Sequence, residues 1–465
     1  VDILNQKKFH MPTAYTILFL LLILVAAATW IIPAGSYDYV DGVPVAGTYH
    51  TVEQNPQGVG DVLKAAFSGF YDAVDVCIFI LMVGGFLGVV MKTGAVDAGV
   101  GNVIRLLGGR EKWLIPILML LFGLGGTTYG MWEETMAFYP LLIPVFLAAG
   151  YDAVVGISVI LLGAGAGVIA STVNPFATGI AAGFAGVSLG EGIVLRLLEW
   201  VAFEAAAIWF VMAYAAKVKK NPSKSVVGVG AGKIQVSMDQ QVPFTAKRKV
   251  IMALFTLTFL IMVYAVVPFD EMGLSLPALG WWFPELSALF LVAGVVIGLI
   301  DRMSEEELVE TYVAGCADLL GVAFIIGISR GITVLMNDGA ITDTVLHWGE
   351  QALSGAGAIS FTLLVFALYL PLTILIPSSS GLATLSIPIV APLGKFAGVG
   401  GDLVVTAFQS ASGLVNIITP TAAVVMGALA LGHVPYDRWV KYVWKLILWF
   451  LLLALAFLVA GVLLG

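Results

Sequence analysis

The chain has 465 residues, 60% of them hydrophobic and only 11% charged, with a mean hydropathy of +1.01. That composition excludes a soluble globular domain and calls for a lipid bilayer as solvent. The formal net charge of −8 argues against nucleic-acid binding, and continuous apolar runs, rather than runs alternating at every second residue, favour spanning helices over a membrane barrel. The expected fold class is an all-α polytopic membrane protein.

In chain order, the sequence opens on Val1 without Met, and its first residues read as an appended segment. The apolar run 13–33 has no A-x-A type cleavage site within reach, so it reads as a retained first span rather than a signal peptide. Further spans are expected near 72–91, 154–186, 191–216, 249–267, 285–300, 316–336, 402–431 and 440–464. Residues 113–149 and 358–397 are different in kind. Each carries two apolar arms, some too short to span, that meet at a polar, Gly/Pro-rich centre, "GGTTYGMWEET" and "LIPSSSGLAT". Each is expected to be a re-entrant hairpin that enters the membrane and returns on the same side. The acidic stretch "MSEEELVETYVAG", 303–315, reads as an interfacial helix equivalent to "NPQGVGDVLKAAFSGF", 55–70.

Charge placement supports this layout. With the amino terminus cytoplasmic, 18 of the 22 basic residues fall on the cytoplasmic side, all but Lys64, Arg196, Arg330 and Lys395. Cys77 and Cys316 lie inside apolar runs as small packing residues, so no disulfide is expected. His10, His50, His347 and His433 are scattered without metal-ligand spacing. No metal or other cofactor is expected, no P-loop is present, and no nucleophile with a base is visible, so the chain does not read as an enzyme.

The two halves resemble each other. "MKTGAVDA" at 91–98 matches "MNDGAITD" at 336–343, an offset of 245, and Pro175 in "STVNPFATG" meets Pro420 in "NIITPTAAV" at the same offset. Pro140, Pro144, Ala149 and Gly150 align with Pro388, Pro392, Ala397 and Gly398 at an offset of 248. Near-constant offsets over three segments indicate an internal repeat. Counting spans puts the two copies in opposite orientations. The expected organisation is a first inverted-topology repeat, 1–216, with hairpin 113–149 and broken helix 154–186. A cytoplasmic linker, 217–249, follows, then a connecting helix and second repeat, 250–465, with hairpin 358–397 and broken helix 402–431.

Inverted repeats with paired broken helices are transporter architecture, with ligand groups at the breaks. Asn174 is a good N-cap with Pro175 at the first helical position, and Thr419 before Pro420 repeats the device, with Asn416 and Thr421 beside it. The freed amides there can hold a carboxylate and the carbonyl ends a cation; the bland reading is a pair of proline kinks. The tip "PSSSG" offers Ser378, Ser379 and Ser380 as donors to an anionic group, or is a tight turn only. The other tip combines Tyr129, Trp132, Glu133, Glu134 and Thr135, aromatic faces with carboxylates, which suits a guanidinium or ammonium group. The two glutamates could instead be structural partners or relay protons. Arg330, the one basic residue squarely inside a span, either binds a carboxylate substrate or pairs with Glu133, Glu134 or Asp75. Arg196 and Glu199, three residues apart on a late helix with Glu204 beyond, are expected to pair locally without a transport role.

The order span, span, hairpin, broken helix, span, repeated upside down, resembles the ion transporter superfamily. Within it, "GMWEETMAFYPLLIPVF", "STVNPFATG" and "IPSSSGLATLSIPIVAPL" resemble the YfcC-type family, related to basic amino acid (arginine/ornithine) antiporters and anaerobic C4-dicarboxylate carriers. The Ser-Asn-Thr signature of the sodium/dicarboxylate branch is replaced at these tips by Trp-Glu-Glu-Thr and Ser-Ser-Ser-Gly. The resemblance implies a multi-pass homodimer of the bacterial inner membrane whose hairpins and broken helices shift against a scaffold in an elevator-like movement. The expected function is a secondary active transporter exchanging arginine-like or ornithine-like substrates. The rival is a C4-dicarboxylate or other organic-anion transporter with a proton or sodium as coupling ion.

Overall fold

The computed structural model describes residues 14–96, 98–99, 102, 109–188, 190–228, 243–266 and 275–464. The opening segment and the middle of the expected linker lie outside these.

Among the described residues, α1 (Ala14–Ala28), α2 (Val59–Asp72) and α3 (Val74–Lys92) come first. They are followed by a two-armed segment, α4 (Leu114–Tyr129) and α5 (Tyr139–Ala148), joined through the 3-10 turn Glu133–Phe138. The first broken helix is α6 (Ala153–Ile169) and α7 (Ile180–Ala185), and α8 (Ile193–Lys220) ends the first half. Then come α9 (Ala246–Val266), α10 (Phe283–Asp301), α11 (Glu305–Asp338) and α12 (Thr342–Leu353). The second two-armed segment is α13 (Ala358–Leu375) and α14 (Ser379–Phe396), and the second broken helix is α15 (Gly401–Asn416) and α16 (Ala423–Leu431). Last is α17 (Tyr436–Leu464). Helices α3, α10, α11, α13 and α17 are each long and apolar enough to cross a membrane.

One expectation is overturned here. The acidic stretch 303–315 is not a separate interfacial helix but the first turns of α11, which runs unbroken for 34 residues. Ser304 caps it by accepting from the Glu307 amide at 3.1 Å, and Glu305, Glu306 and Glu307 complement the positive end of its dipole. With no proline from the cap to Asp338, nothing interrupts the helix. The matching stretch in the first half does break, at Ala73 (φ −117°, ψ 21°), into α2 and α3.

Small residues let α11 lie against both of those helices. A Cβ added at Gly315 would stand 2.3 Å from the Gly84 carbonyl oxygen, and one added at Gly69 would stand 2.1 Å from that of Gly327. Such close backbone approach substitutes for a hydrophobic driving force between helices in lipid. In a second group, α6 packs between α4 and α15. All seventeen α6 residues are buried, and the two broken helices cross with Gly413 against the Ile169 backbone and Gly165 against the Ile417 side chain. Crossing at glycines brings both helix breaks to the centre of the molecule.

Residues 35–51 form two short antiparallel ladders: Gly35–Ser36 with His50–Thr51, and Tyr39–Val40 with Val43–Pro44. They clasp α12, where the Tyr37 hydroxyl donates to Glu350 Oε2 and that of Tyr39 to Asp343 Oδ1, both at 2.8 Å. Burial, then the hydrogen bond to each acid, pushes both phenols up from their ordinary pKa. Raised phenol values mean that this contribution to stability is whole below the unfolded tyrosine value of about 10 and fades as pH rises above it. Tyr39→Phe is expected to lower stability by about 1 kcal/mol at neutral pH and to flatten the alkaline fall in the melting curve.

Candidate functional site

The first helix break is stitched to the end of α4. The Thr127 hydroxyl donates to the Ala170 carbonyl at 2.8 Å, and the Thr172 amide and hydroxyl both donate to the Thr127 carbonyl, at 2.8 and 2.9 Å. The expected cap at Asn174 is present, since its Oδ1 accepts from the Ala177 amide at 3.4 Å. What it caps differs from expectation: Pro175–Gly179 is a single π-helical turn before α7, and the preceding helix stops at Ile169 rather than near Thr172.

The second break departs further. Thr419 caps no helix. Its hydroxyl is 2.9 Å from that of Thr421 and accepts from the Thr421 amide at 3.3 Å, and α16 begins only at Ala423. The start is set by contacts from elsewhere. Ser329 on α11 donates to the Thr421 carbonyl at 2.6 Å, and on α17 Tyr436 and Trp439 donate to the carbonyls of Ile418 and Ile417 at 2.7 and 3.1 Å.

Both tips reach the same place. At the first, Gly130 ends α4 in the left-handed region (φ +79°), and Glu134 folds back so that its Oε2 accepts from the Trp132 amide at 3.1 Å. At the second, Ser378 caps α14 by accepting from the Gly381 amide at 3.2 Å. The amino-terminal end of α14, with its free amides and positive dipole end, thus begins at Ser378–Ser380.

A cavity of about 160 Å³ lies between these elements. It is lined by Trp132, Glu133 and Glu134 from the first tip, by Ser378, Ser379 and Ser380 from the second, and by Asn174, Asn416 and Thr421 from the two breaks. Arg330 enters it from α11. Of the other expected site residues, Thr135 is buried and donates to the Trp132 carbonyl within the tip, and Thr419 is buried behind Thr421. Neither lines the cavity. The Tyr129 side chain lies outside what the structure describes.

Arg330 corrects another expectation. Its Nε is 3.8 Å from Asp72 Oδ2 at the end of α2, so the ion-pair partner is Asp72 rather than Glu133, Glu134 or Asp75. Sequence reasoning also missed Ser329, Trp282 and Phe283, which line the cavity. The one available signal was a hydroxyl beside the lone intramembrane arginine in "GISRGI". On α8, Arg196 and Glu199 attract each other as expected, and each has a further partner: Glu199 accepts from Ser410 at 2.9 Å and Arg196 donates to the Glu191 carbonyl at 2.8 Å. A larger cavity of about 590 Å³ is lined by Ile325 on α11 and Met426 on α16 together with Asp318, His433 and Asp437.

Comparison with known proteins bears on this arrangement. The sequence profile of the C4-dicarboxylate anaerobic carrier family matches residues 11–463. An uncharacterized protein of Haemophilus influenzae is 35% identical, over 98% of each chain. A candidate basic amino acid antiporter of Escherichia coli, YfcC, is 30% identical over 94% of this chain and 93% of its own. Among solved structures, the YdaH transporter of Alcanivorax borkumensis aligns over 95% of this chain and 98% of its own at 15% identity, with a TM-score of 0.43. MtrF of Neisseria gonorrhoeae, presented as illuminating a class of antimetabolite efflux pumps, aligns over 96% and 94% at 18% identity, also at 0.43.

Proposed function

The chain belongs to the C4-dicarboxylate anaerobic carrier family, and from that premise we propose that this integral membrane transporter exchanges cationic amino acids of the arginine or ornithine kind. One observation carries the reading: a single cavity presents Glu133 and Glu134 at one tip and the hydroxyl-bearing amino-terminal end of α14 at the other. An amino acid with a cationic side chain needs both. Its guanidinium or ammonium group goes to Glu133 and Glu134 against Trp132, and its carboxylate goes to Ser378, Ser379 and Ser380. Asn174, Asn416 and Thr421 complete the shell from the breaks, and the Arg330–Asp72 pair closes one wall. The cavity falls below the roughly 300 Å³ lower end of drug-sized pockets, as suits a small solute.

The two-armed segments are re-entrant hairpins, and the halves 1–216 and 250–465 are inverted repeats joined by the linker 217–249. Hairpins and broken helices move as one body against α2, α3, α10 and α11, in an elevator-like step that takes the site from one side of the membrane to the other. The larger cavity beside Ile325 and Met426 is the access route. The chain functions as a homodimer in the bacterial inner membrane with its amino terminus cytoplasmic. Moving an empty site exposes uncompensated carboxylates to a low dielectric, whereas the loaded site is nearly neutral, so reorientation is favoured only with substrate bound and exchange follows. YfcC's description as an antiporter of basic amino acids supports the same reading.

The test is counterflow in proteoliposomes: labelled arginine outside, with unlabelled arginine, ornithine, a C4-dicarboxylate or buffer inside. Accumulation is expected only with a cationic amino acid inside. A second reading has the family's own description and Arg330 in its favour: a C4-dicarboxylate held by Arg330 and the serine tip, coupled to protons or sodium. It is the outcome if arginine fails under every loading and a labelled dicarboxylate accumulates under a proton or sodium gradient.

A further inference from the structure

Glu204 stands at the middle of α8, eleven residues from its start and sixteen from its end. Its side chain is 2% exposed, and neither carboxyl oxygen has a hydrogen-bond partner among the described residues. It faces α4, where a Cβ added to Gly123 would stand 2.3 Å from Glu204 Oε2. A side chain at 123 would force the carboxyl to shift from this position. The same Gly123 is pressed from its other side by α6, since a Cβ at Gly167 would stand 2.2 Å from the Gly123 carbonyl oxygen. The acid therefore occupies a dry notch at the α4–α6–α8 junction, about 10 Å along α4 from Gly130 and the Glu133–Glu134 tip.

Among the described residues, no cation and no hydrogen-bond partner is found at its carboxyl. α8 packs on α4, α6 and α17. Tyr129, at the far end of α4, is the one ionisable residue of that helix, and α6 has none. At the level of Glu204, α17 presents Phe450, packed on Phe203 at 4.7 Å between ring centroids. The ionisable residues of α17, Tyr436, Asp437, Arg438, Lys441, Tyr442 and Lys445, all come at least five residues earlier. On α8 itself Arg196 lies two turns away and Glu199 points toward Ser410 on α15. A buried carboxylate with neither donor nor cation at its oxygens is tolerated in a bilayer interior only as the neutral acid.

We propose that Glu204 is a proton-binding site of the transport cycle, occupied while α4 packs against α8 and emptied when that contact opens. One O–H bond forms as a carboxylate oxygen takes a proton from the aqueous phase on one side, and the same bond breaks as the proton returns to water on the other. An O–H bond of the donating hydronium breaks as the carboxyl O–H forms, and a new one forms on the accepting water as it breaks. Because α4 leads directly into the first tip, a movement that shifts Glu133 and Glu134 also changes the packing of α4 against Glu204 on α8. The proposal rests on the transport reading only for its second readout.

The first readout needs no substrate. Infrared difference spectra of the purified full-length protein between acid and alkaline pH are expected to show a protonated-carboxyl carbonyl band that is missing in Glu204→Gln and kept in Glu199→Gln. Spectra of Glu204→Gln identical to wild type overturn the proposal even if every transport assay succeeds. The second readout uses proteoliposomes with a trapped pH dye and the solute that shows counterflow. Glu204→Gln is expected to retain tracer counterflow while losing at least tenfold in substrate-driven proton movement, and Glu204→Asp is expected to restore part of it. Proton movement in Glu204→Gln equal to wild type overturns the role in the cycle. So does loss of counterflow and proton movement together with no change in the carboxyl band.

Discussion

Glu133→Gln and Glu134→Gln are each expected to lower arginine counterflow by about 100-fold or more, with the protein still folded and inserted. Removing one charge from a buried, hydrogen-bonded pair typically costs about 2–5 kcal/mol, and each 1.4 kcal/mol is tenfold in affinity. The substitutions separate charge from architecture. Glu134 is buried and its Oε2 accepts from the Trp132 amide at 3.1 Å; a glutamine can keep that acceptor, so the fold of the tip survives Glu134→Gln while the charge is lost. Glu134→Ala removes the acceptor too and is expected to lower thermal stability as well as exchange. Glu133, half-buried and on the cavity wall, has the more direct line to substrate. Arginine exchange at the wild-type rate in both glutamine variants would remove Glu133 and Glu134 from substrate binding, and with them the charge argument for obligate exchange.

The parts of the fold that depend on local chemistry were readable from the chain. Long apolar runs gave helices, of which α3, α10, α11 and α17 are long and apolar enough to cross a membrane as expected, as is α13, expected instead as a hairpin arm; Pro/Gly-rich interruptions gave the places where two-armed segments turn and helices break. Pro175 and Pro420 did mark both interruptions, and Trp132, Glu133 and Glu134 of one tip line one cavity with Ser378, Ser379 and Ser380 of the other. What was misread depends on partners distant in sequence. Thr419 looks like an N-cap, yet α16 starts four residues later because Ser329, Tyr436 and Trp439 fix the carbonyls of Thr421, Ile418 and Ile417 from two other helices. Arg330 was matched to acids nearby in the reasoning, not in space, and Asp72 becomes its partner only because Gly69 and Gly327 let α2 lie flat on α11. The α11 fusion was missed because an acidic, mildly amphipathic turn looks the same whether it lies on a membrane surface or caps a span. The ladders at 35–51 are two residues long on each strand, too short for alternation to register.

The second large effect is expected at Gly130. Gly130→Ala imposes two separate penalties. The residue is left-handed (φ +79°), where an L side chain costs roughly 1–2 kcal/mol, and its new Cβ would stand 2.5 Å from the Asn174 side-chain amide. The strain lowers stability; the collision displaces the group that caps the first break and lines the cavity. Gly150 supplies the control, because it is equally left-handed (φ +83°) and has nothing within 4 Å of an added Cβ. Gly150→Ala should therefore lower the melting temperature by a similar few degrees while leaving counterflow near wild type. Gly130→Ala should show that same loss of stability together with a fall in exchange of about tenfold or more, recovered in part by Asn174→Ser, whose shorter side chain yields the space but keeps a capping oxygen. If both alanine variants transport alike, Asn174 is not held in place by its contact with Gly130, and the link between the first tip and the first helix break must run through Thr127 and Thr172 alone.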